Sequence, residues 1–89
     1  TPEQRKIAVN ISKILSESRN FVPDLNPVEL KHLVTERLNE IDGLEVEYYE
    51  IANIETLQTA TNWEKPTVGC VAVFCGEVRL IDNIKYPTV

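Results

Sequence analysis

The sequence predicts an α+β fold: two amphipathic helices packed on a small three-stranded antiparallel sheet. Three observations carry this. A helix-start pattern occurs twice in the first half, each time ahead of apolar residues at helical spacing. The second half holds an alternating apolar–polar segment, then two further strand-like segments joined by Gly76-Glu77. The length of 89 residues suffices for one small domain with a single core.

The first helix is expected from the opening residues. Thr1 can cap it, Pro2 suits the first helical position, and Gln4 completes a capping box. Ile7, Ala8, Ile11, Ile14 and Leu15 then form one apolar face, and the helix should fade near Ser18-Arg19-Asn20. A chain that opens on a helix cap reads as a piece cut at a domain boundary. Phe21 to Leu25 connects it to a second helix. There Asn26 is the cap, Pro27 the first helical residue and Glu29 the capping-box partner. Leu30, Leu33, Val34, Leu38 and Ile41 form its buried stripe, and Asp42-Gly43 ends it, with Gly43 free to turn left-handed.

The first strand begins with Leu44, Val46 and Tyr48 alternating with Glu45 and Glu47. Ile51 falls on the opposite phase, so this strand should bulge or end near Tyr49. Residues 53–65 are polar and weakly patterned, with room for a helical turn from Ile54 to Gln58. Pro66 precedes the run Val68 to Phe74, which is apolar on both phases and reads as a central strand covered on both sides, or nearly so. Gly76-Glu77 suits a two-residue hairpin turn with glycine first. In the returning segment Val78, Leu80, Asp82 and Ile84 share one face, and Arg79, Ile81 and Asn83 the other.

Composition narrows the function. The chain is 43% hydrophobic and 26% charged, with a net charge of -5 and scattered cations. That is globular composition without the basic face a nucleic acid requires. No run of about 18 apolar residues marks a membrane span, and no charged-then-apolar leader is visible. Cys70 and Cys75 fall on opposite faces of one strand, roughly 16 Å apart, beyond disulfide reach. They read as small core hydrophobes in a reducing, cytoplasmic setting. With one histidine, the cysteines lack the number and spacing for zinc.

Each residue with possible chemistry has a plainer structural explanation. His32 lacks a visible nucleophile or orienting carboxylate and reads as a half-exposed helix residue. Glu45, Glu47, Glu50 and Glu55 lack the Asp-rich loop of a calcium site and read as a solvated face. Trp63 is expected to pack over the sheet edge or against a neighbouring domain. Ser18-Arg19-Asn20 could contact a phosphate, but no glycine cradle accompanies it and a helix C-terminus repels anions. Arg19 is better read as a favourable charge at that end. Arg79 suits a clamp on a carboxylate or carbonyl of a neighbouring element. Asp82-Asn83 suits strand termination through nearby backbone N–H groups. No catalytic, substrate, cofactor or metal residue is assigned.

Three segments resemble one family. Thr1-Pro2-Glu3-Gln4-Arg5 is similar to the Leu-Ser-Pro-Glu-Glu-Arg helix start of the pantothenate synthetases, the pantoate–β-alanine ligases. Val46 to Ala52 with Glu55-Thr56-Leu57 resembles their Val-x-Tyr-x-Glu-Ile-Val-Asp-x-x-Thr-Leu. Val71 to Phe74 with Gly76 and Arg79-Leu80-Ile81-Asp82-Asn83 resembles their closing Ala-Ala-x-x-Gly-x-Thr-Arg-Leu-Ile-Asp-Asn, the most specific of the three. Ala52 and Val78 depart from the pattern. The family's own Ser-Arg-Asn motif lies just before the helix that Thr1 begins, so Ser18-Arg19-Asn20 is not that motif.

The resemblance implies that residues 1–89 are the C-terminal lid domain of a larger ligase, without its N-terminal nucleotide-binding domain. It implies an enzyme that activates pantoate with ATP and magnesium as an adenylate. β-Alanine then attacks, giving pantothenate and AMP. It further implies a cytoplasmic homodimer whose lid partners its own nucleotide-binding domain, with no nucleic acid or membrane involved. The lone domain would be inactive and carry neither ATP nor magnesium. The alternatives are a free-standing interaction or regulatory module and, with less support, a small-molecule sensor.

Overall fold

The computed structural model describes residues 2–88. Its elements are α1 (Pro2–Ser18), a short 3-10 turn (Arg19–Phe21), α2 (Pro27–Asn39), β1 (Leu44–Asn53), β2 (Thr67–Cys75) and β3 (Val78–Tyr86). The three strands form one antiparallel sheet in the order β1-β2-β3. The expected architecture is therefore present, while the Thr1 cap lies outside the described residues. No described helix is long and apolar enough to cross a membrane.

Helix α2 starts as the sequence dictates. The Glu29 N–H donates to Asn26 Oδ1 at 2.9 Å, and the Asn26 N–H donates to Glu29 Oε1 at 3.0 Å. This reciprocal box satisfies two donors that the first turn would otherwise leave open, and such a cap is worth about 1 kcal/mol. The helix ends at Asn39, before Asp42-Gly43, and Gly43 has φ +80°. The Val22–Pro23 peptide bond in the preceding connection is cis.

The helices cover one sheet face, α2 chiefly over β1 and α1 over β3. Ile11 and Leu15 of α1 and Leu30, Val34 and Leu38 of α2 meet Tyr49, Ile51, Val71, Val73, Ile84 and Tyr86 in one core. Ile7, Ile14, Leu33 and Ile41 pack at its margin, whereas Ala8 is exposed. Glu17 and Arg37 approach at 3.9 Å, and the Arg37 guanidinium sits 5.5 Å from the Phe21 ring centre.

Strand β1 resolves the phase conflict around Tyr49 by a bulge rather than by ending. Val46 pairs with Val73 and Tyr48 with Ala72, leaving Glu47 as the extra residue. The bulge turns Tyr49 and Ile51 onto the helix-covered face, and the strand continues to Asn53. Strand β2 is central, as its apolar content requires, but only one of its faces is covered by helices. On the other, Ala72 is buried beside Tyr48 and Ile81, while Val68, Cys70 and Phe74 are half-buried. The hairpin after β2 closes through Gly76, whose φ of +62° is the left-handed value a glycine-first turn needs. Strand β3 continues past Asp82-Asn83 to Tyr86, paired with Thr67. The Asn83 N–H donates to Asp82 Oδ1 at 2.8 Å, a bond made within the strand and not at its end.

The segment after β1 is not helical. The Asn53 N–H donates to Gln58 O at 2.9 Å, the Leu57 N–H to Asn53 O at 2.8 Å, and the Ala60 N–H to Ile51 O at 2.9 Å. The chain thus doubles back along the outer edge of β1, where Ala52 bridges Thr59. Asn53 Oδ1 accepts from the N–H groups of Glu55 and Thr56, the local bonding that lets asparagine replace a helix with a turn. Leu57 takes φ +60° in this turn, a conformation that costs a non-glycine residue about 1–2 kcal/mol.

Candidate functional site

A chain of buried hydroxyls joins the last turn of α1 to the sheet. Tyr49 and Tyr86 lie on the helix-covered face, near opposite sides of Gly69, where the absence of a side chain leaves room for both rings. Tyr86 Oη hydrogen-bonds Tyr49 Oη and lies 2.7 Å from Ser18 Oγ, and Ser18 Oγ donates to the Leu15 carbonyl. Ser18 has one proton, committed to Leu15, so Tyr86 donates to Ser18 and Tyr49 donates to Tyr86. Burial, reinforced by Tyr86, pushes the Tyr49 phenol well above its ordinary range, and burial also raises Tyr86. These hydroxyls are sealed in the core and stay protonated, so the network ties helix to sheet rather than reaching a substrate.

Trp63 closes the same end of the core. It is buried, its ring tilts against Tyr86 with 5.1 Å between centres, and its Nε1–H donates to the Leu25 carbonyl at 2.7 Å. The packing role is the one the structure shows. Sequence reading missed the tyrosine network because Tyr49 sits behind a bulge and Tyr86 three residues from the chain end. Gly69, a lone glycine inside an apolar strand, was the available signal of a close approach.

The polar residues weighed from the sequence are dispersed. Arg79 Nε donates to Glu47 Oε2 at 2.8 Å across the helix-free sheet face, so the carboxylate it clamps belongs to β1, on the far side of the central strand β2. Both partners are exposed, and such a pair adds little stability. Asp82 lies on the opposite face from Arg79, paired in register with Val71. Glu50 pairs with Lys31 of α2 at 2.9 Å, while Glu45 and Glu55 are exposed. His32 is exposed. Arg19 is more than a charge at a helix end: its Nε–H donates to the Lys85 carbonyl at 3.0 Å, and Ser18 is a buried core hydroxyl. Cys70 and Cys75 are unpaired and half-buried, on opposite faces, rather than in the core.

Among the described residues, no three His, Cys, Asp or Glu side chains converge on a point that could hold a metal ion. The three glycines lie at separate turns and in β2, with no glycine-rich loop to cradle phosphates. The described residues thus form neither a carboxylate cluster for magnesium nor a glycine cradle for a nucleotide.

The family model described as pantoate-beta-alanine ligase matches residues 1–85. The chain belongs to the pantoate-beta-alanine ligase family. It is 49% identical over 86 residues to a Porphyromonas gingivalis protein named pantothenate synthetase, covering 94% of this chain and 31% of the relative. A Bacteroides thetaiotaomicron protein of the same name is 46% identical over 88 residues, covering 97% and 31%. The crystal structure of pantothenate synthetase from Thermus thermophilus superposes with a TM-score of 0.84 at 30% identity, covering 98% of this chain and 32% of that one. The chain therefore spans about a third of the length of the relatives it matches, and the family's other two thirds lie outside it.

Proposed function

We propose that these residues form the C-terminal domain of an ATP-dependent ligase that joins pantoate to β-alanine, and that they act as its lid. The match of residues 1–85 to the ligase family carries this reading. The fold supports it. The domain has a single core tied from α1 through Ser18, Tyr86 and Tyr49 to the sheet, so it can move as one rigid unit. Closing such a unit over a site excludes water from an activated acyl group, which would otherwise be lost to hydrolysis. ATP, magnesium and pantoate would then be held by the nucleotide-binding part of the enzyme, and this domain would contribute enclosure rather than reacting groups.

The 89-residue chain supplied with ATP, magnesium, pantoate and β-alanine is expected to form no pantothenate. Co-expression with the remainder of the polypeptide should restore synthesis. Pantothenate formation by the 89 residues alone would refute the lid assignment.

A further inference from the structure

Leu57 adopts a costly backbone conformation while presenting its apolar bulk to water. Its backbone sits at φ +60°, and the residue is 77% exposed. Glycine or asparagine would occupy that position with less strain. The loop around it is firmly held. Asn53 accepts from Glu55 and Thr56 through its side chain and from Leu57 through its carbonyl, the Gln58 N–H donates to Thr56 Oγ1, and the Ile54 N–H donates to Pro66 O. Ile54, on the same turn, is 40% exposed. A strained residue held this way, presenting a large apolar group to water, suits a contact with something outside the fold.

We infer that Leu57 is the anchor by which this domain docks onto an apolar pocket in the remainder of its own polypeptide. The occupant follows from length, since two thirds of a family member lies outside this chain. The inference rests on the ligase reading above. Rigidity of the loop fits the role, because an anchor that is ordered before contact loses less freedom on docking.

Hydroxyl-radical footprinting of the unmutated side chain tests this without depending on activity. Leu57 oxidation in the full-length protein should be about tenfold lower than in the 89-residue chain, and should stay low on dilution. Equal oxidation in the two would overturn the inference, as would protection that vanishes on dilution, since a second copy would then be the occupant. In the full-length enzyme, Leu57→Asn should lower kcat/KM about tenfold or more without lowering Tm. Leu57→Met, which keeps apolar bulk, should stay within about twofold of the parent. Full activity of Leu57→Asn would overturn the inference, whereas an inactive parent would contradict the ligase reading and leave the footprint to decide docking.

Discussion

Gly69→Ala is expected to destabilise the domain by about 2–3 kcal/mol. A Cβ at this position would overlap Tyr49 Oη and lie 2.9 Å from Tyr86 Cε2 and 3.0 Å from Tyr49 Cζ. Neither ring is free to retreat. Tyr86 is held between Ser18, Tyr49 and the tilted Trp63 ring, and Tyr49 is anchored by its bond to Tyr86. A domain of this size has only a few kcal/mol to lose, and each is worth about 4–8 °C in Tm. Thermal melts should therefore show a drop of about 10–20 °C. In a double-mutant cycle, Tyr49→Phe should recover part of the loss, because it removes the atom in deepest overlap. A Gly69→Ala variant as stable as the parent would show that the rings do not crowd Gly69 as described.

A second large effect is expected in alkali. Tyr49 and Tyr86 both have their pKa raised by burial, so the folded state holds their protons where the unfolded chain, with tyrosines near about 10, releases them. Stability from this source is fully present below the unfolded pKa and declines as pH rises above it. The slope is about 1.4 kcal/mol per pH unit for each tyrosine, or about 3 for the pair. Between about pH 10 and about pH 11 the Tm should fall steeply. The phenolate absorbance of these two residues should emerge with loss of the circular dichroism signal, not before it. The Tyr49→Phe, Tyr86→Phe double variant should be less stable at neutral pH yet show a much weaker alkaline slope. Ionisation of all three tyrosines while the fold persists would contradict the buried hydroxyl chain.

What the sequence revealed and what it concealed follow from the range of the interactions involved. The capping box at Asn26 and Glu29 and the turn at Gly76 are local, and local patterns expose them. The apolar stripes of the helices disclosed the core, because periodicity reports which face is buried. The bulge at Glu47 was signalled only by the phase conflict at Ile51, and its outcome depended on pairing with β2. After Asn53, where the composition of Ile54 to Gln58 left room for a helical turn, the chain makes one i+4 bond from the Leu57 N–H to Asn53 O and then leaves helical geometry at Leu57. Asp82-Asn83 looked like a strand end, but nine consecutive pairings with β2 outweigh a local side-chain bond. The links from Tyr86 to Ser18 and from Trp63 to Leu25 join residues far apart in sequence, and no single segment discloses them.

The most direct test of the lid is the coupling between adenylate formation and product in the full-length ligase. Pantothenate and AMP should be produced in equal amounts by the whole enzyme. Deleting the segment equivalent to these 89 residues should abolish pantothenate synthesis, with any remaining AMP arising from hydrolysis of unprotected adenylate. A truncated enzyme that makes pantothenate and AMP in equal amounts at the parent rate would contradict the account.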